Sequence, residues 1–440
     1  MIRAEDAPRE LEEKTSADLE KLKPLLDAKN WDAAITLLSS IRSRVGAESY
    51  DMAIITDVEA KIYLQKGDYA KAIAPWEVAL RLGDAHNFFD KNSVQEMIYF
   101  LAQIYYQEAQ NSKVPATQKQ YFAKAASYLE RWMRDATKPP FDPSRQEAAL
   151  FYGNLLYNEA VVSGDPDHVD KDLLKRAEVE INKGLLISPR PKDSFYLILL
   201  AIAQQENNYP RLADLLELLV KQYPAKKDYW PQLASVYLNL ANSEKDPTLA
   251  KEYNTRAILA IERAQALGFM KTPKDNYTLV GIYFNVGQFG RATEILHAGL
   301  RDGSIDNDQK NWELLISCYQ QAERPFQAIE AAQEGAKKFK TGQLDFQAAQ
   351  ICYSLNKPEQ SYKFLKSAIE KGGIDKPFSL YNFMAYVCWE LNKWEEAKAA
   401  VEKAMTFPEG QKDQQLPRLK QTIEESIQER AANTNKPKSL

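Results

Sequence analysis

Cys318, Cys352 and Cys388 come nearest in this chain to a chemical pattern, because they fall 34 and 36 residues apart. Thiolates at regular intervals could hold a metal or form disulfides. The residues around them favour neither. Each cysteine sits in an apolar stretch, where a free thiol behaves as a small buried hydrophobe. Helices in adjacent copies of a repeat pack about 8–10 Å apart, beyond comfortable bridging distance. His86 and His168 lie in polar linkers, and His297 lies on a helical segment. No motif joins a nucleophile to a base and an orienting group, no glycine loop is shaped for phosphate, and no paired histidines have metal-site spacing. Carboxylates such as Glu395 and Glu396 belong to solvated helix faces. These residues predict a non-catalytic protein with no metal and no cofactor.

Composition narrows the class further. The 440 residues exceed the usual size of one compact core, so the chain is expected to be multi-domain or a repeat array. With 57 basic and 61 acidic residues there is no basic excess to displace counterions from phosphates, and nucleic acid is not an expected partner. The longest apolar run, 195–203, is far short of the roughly 20 residues of a membrane span. Met1-Ile2-Arg3-Ala4-Glu5-Asp6 is polar at once and does not read as a signal peptide. Either the chain is cytoplasmic or its leader has been removed.

The elements that must carry any function are marked by a recurring small residue. Ala34, Ala72, Ala125, Ala177, Ala257, Ala292, Ala328 and Ala397 each sit near the start of an amphipathic segment, and Leu212 and Ser361 fill the same role. Successive intervals are 38, 53, 52, 35, 45, 35, 36, 33 and 36 residues, a period expected of stacked helical hairpins. The copy over 52–84 shows the design. Ala60 and Tyr63 lie on a first helix, Gly67-Asp68 breaks it, and Tyr69, Ala72, Trp76 and Ala79 follow at helical spacing. Small residues let the helices approach and aromatics fill the space left. One hairpin cannot bury its apolar face alone, so each must stack on its neighbours. Pro189, Pro224 and Pro408 follow second helices, where the chain cannot continue as helix.

Further copies carry Trp230, Leu233, Ala234 and Tyr237; Leu279, Tyr283, Gly287, Phe289, Ala292 and Leu296; Trp312, Leu315, Tyr319, Ala328 and Gly335; and Met384, Ala385, Trp394, Ala397, Val401 and Ala404. These residues resemble the tetratricopeptide repeat (TPR) family over about residues 15 to 408. The resemblance implies an all-α, right-handed superhelical solenoid of about ten hairpins, with a concave groove lined by first helices. Three intervals exceed the unit, placing lengthened copies near 95–134, 146–189 and 227–268. The extra residues fall around 107–120, 161–172 and 241–252 and are expected as longer helices joined by a longer loop. Residues 409–430, with Leu416, Leu419, Ile423 and Ile427 at helical spacing, read as a capping helix. Residues 1–14 read as a flexible N-terminus and 431–440 as a disordered tail.

By analogy with the family, the groove-facing residues are Gln103, Tyr106 and Gln107; Asn154, Tyr157 and Asn158; Gln204 and Gln205; Asn239; Phe284 and Asn285; Gln320 and Gln321; Gln350 and Tyr353; Tyr386 and Trp389. Amides donate to and accept from a peptide backbone, and tyrosine and tryptophan add apolar area with a polar tip. The resemblance thus implies a protein or extended peptide as partner. It argues against the family's acidic-terminus clamp, whose lysines and asparagines do not recur together here. The alternative is that amides merely tolerate half-exposed helix faces.

Lys227-Asp228-Tyr229-Trp230, Asp302-Gly303-Ser304-Ile305 before Lys310-Asn311-Trp312, and Lys371-Gly372-Gly373-Ile374-Asp375-Lys376-Pro377 before Leu391-Asn392-Lys393-Trp394 add a finer likeness. Residues 226–408 resemble TPR proteins encoded beside TonB, ExbB and ExbD components in Gram-negative bacteria. That likeness implies a periplasmic accessory of TonB-type energy transfer, contacting a TonB/ExbB/ExbD-type component or an outer-membrane transporter. A general scaffold or assembly factor, in cytoplasm or envelope, is the other reading.

Overall fold

Helical hairpins follow one another along the chain in the computed structural model, which describes residues 9–136, 138–139 and 141–434. Two compact units divide at Gln222 and Tyr223.

In the first unit, α1 (Glu13–Glu20) and α2 (Leu22–Asp27) form a broken first helix, packed on α3 (Trp31–Arg42). Glu13 and Lys14, expected in the loose N-terminus, therefore open a helix instead; residues 1–8 lie outside the described ones. Paired helices follow: α4 (Tyr50–Lys66) with α5 (Tyr69–His86), α6 (Lys91–Asn111) with α7 (Pro115–Arg134), α8 (Pro143–Ala160) with α9 (Lys171–Leu186), and α10 (Asp193–Gln205) with α11 (Tyr209–Gln222). The second unit pairs α12 (Tyr229–Ser243) with α13 (Pro247–Ala266), α14 (Pro273–Asn285) with α15 (Phe289–Asp302), α16 (Gln309–Gln321) with α17 (Pro325–Ala336), α18 (Gln343–Ser354) with α19 (Pro358–Lys371), and α20 (Pro377–Glu390) with α21 (Trp394–Met405). The expected cap over 409–430 is two pieces, α22 (Pro408–Lys412) and α23 (Leu416–Thr434), broken by the extended backbone of Asp413. Leu416, Leu419 and Ile423 of α23 bury into the apolar cluster of α20 and α21. Residues 431–434, expected in the tail, continue α23, and 435–440 lie outside the described residues.

The recurring alanine explains this arrangement. Ala34, Ala72, Ala125, Ala177, Ala257, Ala292, Ala328 and Ala397 have no solvent exposure, nor has Ser361, while Leu212 keeps 7%. The serine is tolerated because its hydroxyl donates to the Ala349 carbonyl (2.8 Å) on the facing helix, leaving no unmet polar atom. Glycine deepens the approach where a side chain must pass. A Cβ on Gly335 would stand 2.9 Å from the Trp312 ring, and one on Gly184 would stand 2.4 Å from Phe195. The two fully buried tryptophans keep their N–H satisfied: Trp76 donates to Asp57 (3.0 Å) and Trp312 to Asn307 (2.7 Å).

A single turn geometry joins the ordinary hairpins. Lys29, Gly67, Asn207, Gly287, Glu323, Asn356 and Asn392 adopt left-handed φ values of 54° to 88° between the two helices. At each, the left-handed residue's N–H bonds back three residues and the next N–H bonds back five, as in Asn356 to Tyr353 (2.9 Å) and Lys357 to Cys352 (3.0 Å). This double bond closes the first helix and aims the second.

The three lengthened copies depart from this plan in the helices. The small residue is fourth in the ordinary second helices α3, α5, α11, α15, α17, α19 and α21, but eleventh in α7 and α13 and seventh in α9. Seven added residues lengthen a helix by about 10 Å at its N-terminal end. The expected longer loop occurs only once. Residues 112–114 and 244–246 are short connections, whereas 161–170 form a loop containing a 3₁₀ turn, Pro166–His168. Asp246 and Asp170 cap the following helices by accepting backbone N–H bonds.

Candidate functional site

The first helices carry every residue singled out for the groove, and none of those residues is fully buried. Their surroundings differ between the units.

In the first unit, Tyr106 of α6 meets Asn154 and Asn158 of α8. Asn154 donates to the Tyr106 hydroxyl at 2.8 Å and Asn158 at 3.1 Å; Asn158 also donates to the side-chain oxygen of Asn154 at 3.2 Å. Gln110, one turn beyond Tyr106, donates to the same hydroxyl at 2.8 Å. The ring stands edge-on to Phe151 at 5.2 Å, and partial burial raises its pKa. This cluster spans two hairpins, so it fixes their register. Tyr157 packs partly against the core. Gln103, Gln107, Gln204 and Gln205 are exposed, with Gln205 closing α10.

In the second unit, Asn239, Asn285, Gln320, Gln321 and Gln350 are exposed, and Asn285 and Gln321 close their helices at the hairpin-turn edge. Phe284 packs edge-on to Phe289 at 5.1 Å. Tyr353 and Trp389 leave 37% and 38% of their surfaces open. Tyr353 stands edge-on to Phe383 at 5.2 Å, and the nearby Glu390 carboxylate, with partial burial, raises the tyrosine's pKa. Tyr386 packs partly into the adjoining core.

Gln110, Phe151, Gln347, Asn382, Phe383 and Glu390 were not singled out from the sequence. Each lies within one helical turn of a residue that was, so extending the stripe by one turn would have reached them. Another omission lies elsewhere, in an open cleft of about 470 Å³ walled by Ile369, Met384, Ala399 and Ala400, with Lys366 and Glu370 at its rim.

The cysteines are packed in the core, and His297 is hydrogen-bonded to neighbouring helices. Burial pushes the Cys318 thiol up to about 11 and Cys388 up to about 12, and all three cysteines are free and buried. Such thiols stay protonated and inert. His297 contacts the Tyr319 hydroxyl (2.8 Å) and Glu334 (3.2 Å), linking three helices. Arg301 and His297 hold the Glu334 carboxyl down at about 2. Among the described residues no cluster of three His, Cys, Asp or Glu side chains could hold a metal, and no helix is long and apolar enough to cross a membrane.

No protein-family model matches the chain, and no curated protein does. Several solved structures are similar at low identity. A tetratricopeptide repeat protein from Parabacteroides merdae is 11% identical, with a TM-score of 0.27 over 65% of this chain and 98% of that one. The APC/C hetero-tetramer Cut9–Hcn1 gives 13% and 0.27 over 96% and 94%. Naa15/Naa10 bound to HypK-THB gives 12% and 0.24 over 88% and 68%. The fold itself rests on the hairpins: the chain is an all-α array whose buried alanines, glycine contacts and turns repeat from copy to copy.

Proposed function

We propose that this chain is a protein-interaction module that holds an extended segment of a partner against its first-helix faces. The observation that carries this reading is the open aromatic surface of Tyr353 and Trp389 beside a row of exposed amides, on helices whose opposite sides are buried. Large rings with a polar tip are the residues most enriched at binding surfaces, and amides match backbone groups in either direction.

The finer reading is a periplasmic accessory of a TonB-type system, supported by the sequence likeness over residues 226–408. Such an accessory works by contact with an envelope protein, without catalysis. Two double variants test the module: Tyr157→Ala with Asn158→Ala, and Tyr353→Ala with Trp389→Ala. Each should keep wild-type helicity by circular dichroism, and at least one should lower crosslinked capture of the native partner tenfold or more. Undiminished capture by both refutes the groove. Deletion of the gene should impair import by TonB-dependent transporters; unimpaired import removes the transport reading and leaves the general scaffold.

A further inference from the structure

We infer that the first-helix face of α18 and α20 takes an extended peptide segment bearing arginine side chains. The inference rests on the groove reading above and adds the chemistry of its occupant.

Four observations converge on this face. Neither Gln343–Ser354 nor Pro377–Glu390 contains a lysine or arginine. The nearest turn lysines are occupied elsewhere, Lys357 over the Phe326 ring and Lys393 over the Tyr362 ring, each at 4.7 Å. Glu390 is exposed, lies near enough to Tyr353 to raise that hydroxyl's pKa, and joins no ion pair among the described residues. Finally, the amide oxygens of Gln347 and Asn382 are shielded from solvent and have no hydrogen-bond partner. Gln347 lies three residues before Gln350, and Asn382 lies four before Tyr386 and seven before Trp389, so both belong to the same stripes.

This combination asks for a cation with several donors. A guanidinium stacks on open tryptophan and tyrosine faces, and its N–H fork reaches a carboxylate and amide oxygens together. Rotation of the part-exposed Gln347 and Asn382 side chains would turn their unmet oxygens toward those donors. An acidic segment would meet Glu390 and unpaired acceptors, and would find no basic group on either helix.

The test is selection from a display library of random 12-residue peptides on the immobilised full chain. Wild type, Trp389→Ala and Glu390→Lys are compared, with helicity checked by circular dichroism. Wild type should enrich arginine several-fold over the input library. A selected peptide should bind at least tenfold more tightly by fluorescence anisotropy than its Arg→Gln version. Trp389→Ala should weaken that binding about tenfold, and Glu390→Lys should shift selection toward acidic peptides. Peptides selected without arginine enrichment, or with acidic enrichment on wild type, overturn the inference while leaving the groove standing. Failure to select any peptide overturns both.

Discussion

Glu323→Gly should stabilise the chain, although it removes a side chain and adds none. Glu323 holds φ of 56° in the turn between α16 and α17, where Gly67 and Gly287 stand in equivalent turns. Its N–H bonds the Gln320 carbonyl (3.0 Å), and the following N–H bonds the Tyr319 carbonyl (2.9 Å), so the turn cannot relax without opening the end of α16. A side chain with a Cβ costs about 1–2 kcal/mol in this conformation. Glycine returns about 0.5–1 kcal/mol of that through the freedom it loses on folding. The net gain is about 0.5–1 kcal/mol, which raises Tm by about 1–4 °C for a cooperative unit of 150–250 residues. The glutamate side chain is exposed and joins no ion pair among the described residues, so little else changes. Gly287→Ala is the mirror test. An added Cβ there has nothing within 4 Å, so any loss is conformational and should reach about 1 kcal/mol. Differential scanning calorimetry of both variants measures the effect. A lower Tm for Glu323→Gly, or an unchanged one for Gly287→Ala, refutes the reasoning.

Other outcomes follow from packing and charge. Gly335→Ala should destabilise by about 1–3 kcal/mol, because the new methyl would stand 2.9 Å from the Trp312 ring and 2.8 Å from Leu344; urea denaturation reads the loss. Tyr106→Phe should cost about 1 kcal/mol by leaving the amides of Gln110, Asn154 and Asn158 without their shared hydroxyl, seen as faster amide exchange in α6 and α8. Glu159 is 8% exposed and has no hydrogen-bonding partner among the described residues, and burial raises its pKa. Its charged form therefore destabilises the fold above the raised folded-state pKa, and the penalty vanishes once pH falls below the unfolded-state value near 4.5. Glu159→Gln should accordingly raise Tm at neutral pH, with the gap to wild type closing as pH falls to 4; a gap that does not depend on pH contradicts this.

The sequence made the repeat legible because every unit but the one with Leu212 spends a zero-exposure position on a small residue. Ala34 and Ala397 mark the same contact at opposite ends of the array. Interval lengths located the longer copies but not the form of the extension. In 107–120 most added residues propagate helices, since Ala109 and Phe122 have core to bury against. In 161–172 the run Ser163-Gly164-Asp165-Pro166 offers turn chemistry instead, and a loop forms. Family analogy and register together put the expected groove residues on first helices, where the structure has them. Register could not show that Tyr106, Asn154 and Asn158 satisfy one another across two hairpins while Tyr353 and Trp389 stay open. That difference depends on neighbours contributed by a second copy, such as Phe151 and Phe383, which no single repeat contains.

The claim that the first-helix face holds the partner is tested most directly by photocrosslinking in the native cell. A benzophenone amino acid placed at Gln107, Gln320 or Gln350 lies on that face, and at the exposed second-helix positions Lys124, Lys363 or Glu402 it does not. The account predicts a discrete protein adduct from the first set and none from the second. Adducts from the second set alone, or equally from both, would contradict it.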